Sequence, residues 1–332
     1  LKKLNIDGWL LYDFKRLNPL ALHFLQIDQN THLTRRFFFW IPKEGEPLKL
    51  VSAVENPLKT LPGRTDIFNS FDEMKSKLKG LVEGKKIAME YSPFAAVPEV
   101  SKVDAGTIEL IRSFKAEVVS SGDLYQAVTC LLTPDQFESH LKAANNLDRI
   151  VADTWDYLFS RLGRVTERDV CEFILDAFKE DNMVTEGEPE VAVNANTSLP
   201  HYRSGDVLIR EGDYILIDLW GKIDKPNAIM ADITRVGYAG KKPPSEIQKV
   251  FDIVKKARDK AIGYVEKRYG KEPIEGRAVD RAAREVIEES GYGPFFCHRL
   301  GHNIHESTHG PGAHNDSLET DERRHHLPGY LF

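Results

Sequence analysis

Apolar positions in the first 126 residues or so come in short runs separated by turn-forming residues. GWLLYD (8–13), RRFFFWIP (35–42), LKLVSAV (48–54), KKIAMEY (85–91) and AEVVSS (116–121) have the length and the β-branched or aromatic content of strands. At least two helices are predicted between them. The clearer one opens at Ser70 with Glu73 three residues on, a capping box, and places Phe71, Met74, Leu78 and Leu81 on one face. This stretch predicts a small α/β domain over residues 1–130.

The apolar period then lengthens. In LLTPDQFESHLKAA (131–144), Thr133 is a helix cap and Pro134 takes the first helical position, where its missing N–H costs nothing. Phe137, Leu141, Ala144, Leu147, Val151, Trp155, Leu158 and Leu162 follow at steps of three or four, predicting one long helix ended by Gly163. A shorter helix is predicted from Thr166, with Asp169 placed as in a capping box, and then strands near 189–194, 213–220 and 229–239. The order repeats: a long amphipathic helix over 245–268 (Ile247, Val250, Phe251, Val254, Ala257, Ala261), a shorter one over 276–290, and β-like sequence afterwards. This echo, without sequence identity, predicts a pseudo-duplicated α/β domain over 131–332 with its site between the halves.

Composition narrows the class. The 332 residues are enough for two domains, and 41% hydrophobic with 29% charged residues is a globular balance, neither disordered nor fibrous. A net charge of -6 leaves no basic excess for phosphates, so peptides or small molecules are expected as partners and nucleic acid is not. Cys130, Cys171 and Cys297 are widely spaced and odd in number, which suggests neither a disulfide framework nor a thiolate zinc site and points to a reducing, cytoplasmic compartment. No apolar run approaches the roughly 20 residues of a membrane span, and LKKLNIDGWLLYDF lacks a signal-peptide pattern, although the absence of an initiator Met leaves room for an upstream segment.

Four segments carry candidate chemistry. In GDYILIDLWG (212–221), Asp218 interrupts an apolar strand, and a carboxylate there needs a partner; alone it fits a strand-end turn residue equally well. In MADITRVGYAG (230–240), Asp232 begins a second strand, and an antiparallel hairpin would let both carboxylates reach one site, for acid/base work or a hard divalent cation. The plain alternative is an ion pair of Asp232 with Arg235. The third segment is HRLGHNIHESTHGPGAH (298–314): seven of the eleven histidines lie between 298 and 326. It contains HESTH (305–309), a literal HExxH that on a helix would make His305 and His309 zinc ligands with Glu306 as base. Gly301 before it and Gly310, Pro311 and Gly312 after it oppose a helix, and position 315 is Asn rather than the third histidine of the extended motif. As strand and loop, the stretch would instead offer His302 to the two aspartates. The fourth segment, VNANTSLPHYRSGD (193–206), is turn-rich and carries His201 after Pro200, a functional loop histidine or simply a solvated one.

Together these segments resemble the pita-bread superfamily of Xaa-Pro aminopeptidases, prolidases and creatinases, with a creatinase-like N-terminal domain, over nearly the whole chain. The resemblance implies metal ligands in the order Asp, Asp, His, Glu, Glu, of which Asp218, Asp232 and His302 match the first three, and substrate- and proton-handling roles for His201 and His309. His309 follows His302 by seven residues, as in GHxxGxxxH. It further implies two divalent ions (manganese foremost, cobalt or zinc as alternatives), a hydroxide bridging them that attacks the scissile carbonyl, a peptide substrate and a homodimer. The aspartates stand fourteen residues apart, farther than the common spacing; Trp220 replaces a small residue; and His305 stands where Gly is common. LPGYLF (327–332) is what precedes the strand with the fourth ligand in that family, so about sixty residues with the C-terminal strands and both glutamates are expected beyond it, and the chain as it stands is expected to bind metal poorly and hydrolyse little. Glu319 and Glu322, in ETDERR, match neither ligand position and read as a solvated loop. Two other functions stay open on the residues: a metal-independent, creatinase-like C–N hydrolase, and a non-catalytic binding protein of the same fold.

Overall fold

The computed structural model describes residues 1–2 and 4–332. It contains two compact units: Leu1–Cys130 together with Pro311–Ala313 and Ser317–His325, and Leu131–Gly310 together with His314–Asp316 and His326–Phe332.

The first unit is a six-stranded mixed sheet. Its strands are β1 (Gly8–Asp13), β2 (Phe37–Pro42), β3 (Leu48–Ser52), β4 (Arg64–Phe68), β5 (Lys86–Met89) and β6 (Glu117–Ser120), in the order β4-β3-β2-β1-β5-β6. β1–β2 and β2–β3 are antiparallel, and the other pairings are parallel. Helices α1 (Pro19–Phe24), α2 (Phe71–Val82), α3 (Ala105–Ser113) and α4 (Gly122–Thr129) complete it. Leu11, Phe37, Phe39 and Val51 pack with Ala21 of α1 and Tyr125 of α4, while Leu10, Phe38, Trp40 and Leu50 pack with Met74 and Leu78 of α2 and Ile111 of α3. Burial of both faces is why all six residues of β1 are buried.

Three expectations need correction here. α2 buries Met74, Leu78 and Val82, while Phe71 stays 55% exposed at the first turn. β4 (RTDIF) escapes the sequence pattern because it is an edge strand with little apolar surface to bury. The charged run ETDERR is not wholly solvated: Glu322 is fully buried and accepts from Arg324 Nε at 3.0 Å, so charge pairing makes its burial tolerable. Glu90 is also buried and accepts from Trp9 Nε1 (2.7 Å), Asn18 Nδ2 (2.8 Å) and Ser121 Oγ (3.0 Å), and burial pushes its pKa upward.

The second unit opens with α5 (Pro134–Phe159) and α6 (Glu167–Glu180), both started by capping boxes, Thr133 with Gln136 and Thr166 with Asp169. α5 stops at Phe159, short of Gly163, which takes a left-handed φ of 76° in the loop beyond. Four strands follow: β7 (Met183–Val184), β8 (Glu190–Val193), β9 (Tyr214–Ile223) and β10 (Ala231–Tyr238), all antiparallel, with β9 pairing each of the others. Ile215, Ile217 and Leu219 of β9 bury one face of this sheet against Leu147, Val151 and Leu158 of α5 and Ile174 of α6. α7 (Ser245–Arg268) and α8 (Gly276–Glu289) pair through Ala257, Ala261, Val279 and Ala283. The helix pair thus recurs, but among the described residues no named strand follows α8. The β-like sequence there, punctuated by Gly and Pro, makes only the bridges Gly301–Asn315 and Ile304–Leu331.

Candidate active site

The register of the β9–β10 hairpin places Thr234 opposite Asp218 and Asp232 opposite Trp220. Side chains alternate across a strand, so Leu216, Asp218, Trp220 and Lys222 of β9 share one face with Asp232 and Thr234 of β10. Glu190 of β8, opposite Asp218, joins them. Along β9 this face is half-buried throughout, whereas Ile215, Ile217, Leu219, Gly221 and Ile223 on the other are buried. Asp218 therefore interrupts the apolar sequence without interrupting the core.

Asp218 and Asp232 are diagonal neighbours across the ladder, near enough to interact. Asp218 accepts a hydrogen bond from Thr234 Oγ1 at 2.7 Å. Burial pushes its carboxyl up to about 6, the Asp232 charge adds to the rise, and Thr234 and His302 oppose it. Arg235 does not pair with Asp232. It lies on the opposite face and donates to Asp148 at 3.0 Å.

His302 supplies the next group, its Nε2 3.5 Å from Asp232 Oδ2. The segment that delivers it has no regular structure and hangs on a buried ion pair within α8, Arg284 Nε to Asp280 Oδ2 at 2.9 Å. Asp280 accepts the Leu300 N–H at 2.8 Å, and Arg284 donates to the carbonyls of Phe296 and His298 at 2.7 and 2.8 Å. His309 meets His302 edge-on, with centroids 4.4 Å apart. Partial desolvation, and then the neighbouring His302 and Arg299, push the His309 pKa down against the pull of Asp232 and Glu186. Residues 305–309 form no helix, so HESTH does not present two imidazoles on a helical face, and His305 is buried with its carbonyl on the Met230 N–H at 2.9 Å.

Asp218, Asp232, His302 and His309 are thus brought together. His201 lies outside these contacts, exposed on its loop in a left-handed conformation (φ 56°), and its electrostatic influence reaches Glu190. Sequence reasoning missed Thr234 and Glu190. Once the hairpin register is known, alternation puts both on the Asp218 face. It also missed Glu186 and Lys222, which have no local signal. The donor set of two carboxylates and one imidazole suits a hard or borderline divalent cation. Among the described residues, no group of three or more such side chains is drawn closely enough to hold an ion as it stands.

A model of metallopeptidase family M24 matches residues 139–330 of the chain. An uncharacterized peptidase of Staphylococcus epidermidis is 27% identical over 325 residues, spanning 91% of this chain and 82% of its own. An uncharacterized peptidase of Staphylococcus aureus is 30% identical over 205 residues, 59% of this chain and 53% of its own. Among solved structures, dipeptidase PepE of Mycobacterium ulcerans aligns with a TM-score of 0.65 at 17% identity, over 99% of this chain and 83% of that one. A prolidase of Thermococcus sibiricus aligns at 0.56 and 22%, over 99% and 88%, and an Xaa-Pro dipeptidase of Bacillus anthracis at 0.57 and 20%, over 99% and 84%. At these identities the structural likeness is one of fold.

Proposed function

Because the chain belongs to metallopeptidase family M24, a family of dimetal hydrolases, we propose that it is an aminopeptidase or dipeptidase cleaving Xaa-Pro-type bonds. The observation that carries this reading is the meeting of the carboxylates Asp218 and Asp232 of one half-buried sheet face with the loop histidines His302 and His309, within the family-matching segment. The preference for a bond before proline is supported by the prolidase and Xaa-Pro dipeptidase among the solved structures of the same fold.

Asp218, Asp232 and His302 would hold the ions, Asp232 neighbouring Asp218 across the ladder and His302 across the loop. A bound pair of divalent ions supplies an activated water and polarises the scissile carbonyl. Asp218 ionises around pH 6 and so offers an anionic donor above that. His309, held neutral by its lowered pKa, can accept or pass a proton beside His302. His201, exposed on its loop, is free to meet the substrate. Two carboxylates with one imidazole favour manganese, with cobalt or zinc as alternatives. The odd number and wide spacing of Cys130, Cys171 and Cys297 support a reducing, cytoplasmic setting; a homodimer follows from the family resemblance alone.

The test is metal content and cleavage of Xaa-Pro dipeptides and longer Xaa-Pro peptides by the full-length protein with manganese, cobalt or zinc. Asp232→Ala and His302→Ala should lose metal and activity, whereas His305→Ala should keep both. Loss of metal in His305→Ala with retention in His302→Ala would replace this site by a zinc site at HESTH. A metal-loaded protein that cleaves other peptides but no Xaa-Pro bond would remove the specificity.

A further inference from the structure

His309 sits on a loop without regular secondary structure, yet it keeps ring contact with His302. Two side chains, one on β9 and one just past β7, neither used in the chemistry above, reach across to that loop. Lys222, two residues beyond Trp220 and on the same face of β9, donates from Nζ to the Glu306 carbonyl at 2.6 Å. Glu186, just past β7, accepts the Thr308 N–H on Oε2 at 3.0 Å. These bonds grip the backbone at alternate residues, 306 and 308, immediately before His309.

The supports of the two grips are themselves ordered. Lys222 is fixed by the β7–β9 pairing of Lys222 with Val184. Glu186 lies in a turn closed by Thr185 Oγ1 donating to the Gly187 carbonyl at 2.8 Å. That turn rides on the Trp220 indole so closely that a Cβ on Gly187 would come within 3.0 Å of it. Alternate residues of β9 thus divide the labour: Asp218 faces the site, Trp220 seats the turn that carries Glu186, and Lys222 holds the loop. An ammonium on one side and a carboxylate on the other each make a charge-assisted bond to the backbone, stronger than the neutral kind.

We propose that Lys222 and Glu186 are positioning residues, a two-point clamp that fixes the 306–308 backbone and thereby the placement of His309 beside His302. The proposal rests on the reading of His309 as part of the peptidase site for its effect on turnover, but not for its effect on geometry. The experiment compares wild type with the double variant Lys222→Met/Glu186→Ala and the conservative double variant Lys222→Arg/Glu186→Gln, which keeps a donor and an acceptor. Three quantities are read in the full-length protein: the ring-to-ring nuclear Overhauser contact of His302 and His309, hydrogen exchange at the Thr308 amide, and kcat and KM on an Xaa-Pro substrate.

In the Met/Ala variant the ring contact should disappear, Thr308 exchange should quicken about tenfold, and kcat should fall about 10- to 100-fold with KM within about twofold, as for a catalytic group displaced by an ångström or so. The Arg/Gln variant should restore most of all three. Unchanged ring contact and Thr308 exchange in a Met/Ala variant of wild-type melting temperature would overturn the clamp, as would an Arg/Gln variant as impaired as Met/Ala. If wild type cleaves no Xaa-Pro substrate while ring contact and exchange respond as expected, the clamp stands and the peptidase reading fails.

Discussion

Thr234→Val removes a hydrogen bond that holds down the proton affinity of Asp218. Valine keeps the shape and the strand preference of threonine, so the perturbation is the loss of an O–H donor 2.7 Å from Asp218 Oδ1. Burial and Asp232 raise this carboxyl to about 6, and the Thr234 bond opposes them. A hydrogen bond to a charged group is worth about 1.5–3 kcal/mol; Thr234 is exposed, so solvent screening argues for the bottom of that range, and about 1.4 kcal/mol corresponds to one pH unit. The Asp218 titration should therefore move up by about one unit. Its ionised share should drop from about nine-tenths to about half at pH 7, and from about half to about a tenth at pH 6. Carboxylate-resolved NMR titration of the metal-free protein measures the shift directly. Calorimetric manganese titrations should show an affinity loss of about twofold at pH 7 and about fivefold at pH 6, because only the ionised carboxyl binds the ion. A midpoint that stays put or falls, or an affinity loss independent of pH, would refute the reasoning.

Other consequences concern stability. Burial raises the Glu90 pKa, so the folded protein binds this proton more tightly than the unfolded chain, and the contribution of Glu90 is full below its unfolded pKa and lost as pH rises towards the folded value. Glu90→Gln should flatten that decline in urea unfolding curves followed from pH 4 to 8, and an undiminished decline would assign it to other groups. Leu219→Ala, at a fully buried position of the β9 core, should cost about 2–5 kcal/mol in the same assay, with less than 1 kcal/mol contradicting the packing described. Gly310→Ala should cost about 1–3 kcal/mol, since its Cβ would come within 2.3 Å of Oδ1 of the buried Asn303, whose amide is committed to the Leu331 carbonyl at 2.6 Å; a neutral substitution would mean the loop yields easily.

Local signals carried much of the second unit. The capping boxes at Thr133 and Thr166, the Pro at the first position of α5, and the apolar spacing of α7 and α8 act within a few residues, so they are readable wherever they occur, and those helices begin where the chain predicts. The hairpin joining Asp218 to Asp232 is nearly as local, because alternation and loop length suffice to bring the two strands side by side. Helix ends are weaker signals. α5 stops at Phe159 with Ser160 as its C-cap although apolar spacing runs on to Leu162, which packs on the same core from the loop beyond.

What the chain alone determined, then, is α2 and the four helices of the second unit, the carboxylate pair, and a histidine-rich stretch too broken by glycine and proline to be a helix. Tertiary structure decided which of those histidines meet the carboxylates, that Arg235 turns away to Asp148, that Glu322 is buried with Arg324, and that Lys222 and Glu186 grip the His309 loop. The two gripping bonds span 84 and 122 positions of sequence. No local propensity encodes a bond between residues so far apart: it exists only once apolar burial has packed β9 against α5 and α6, and so fixed which side chains share the open face.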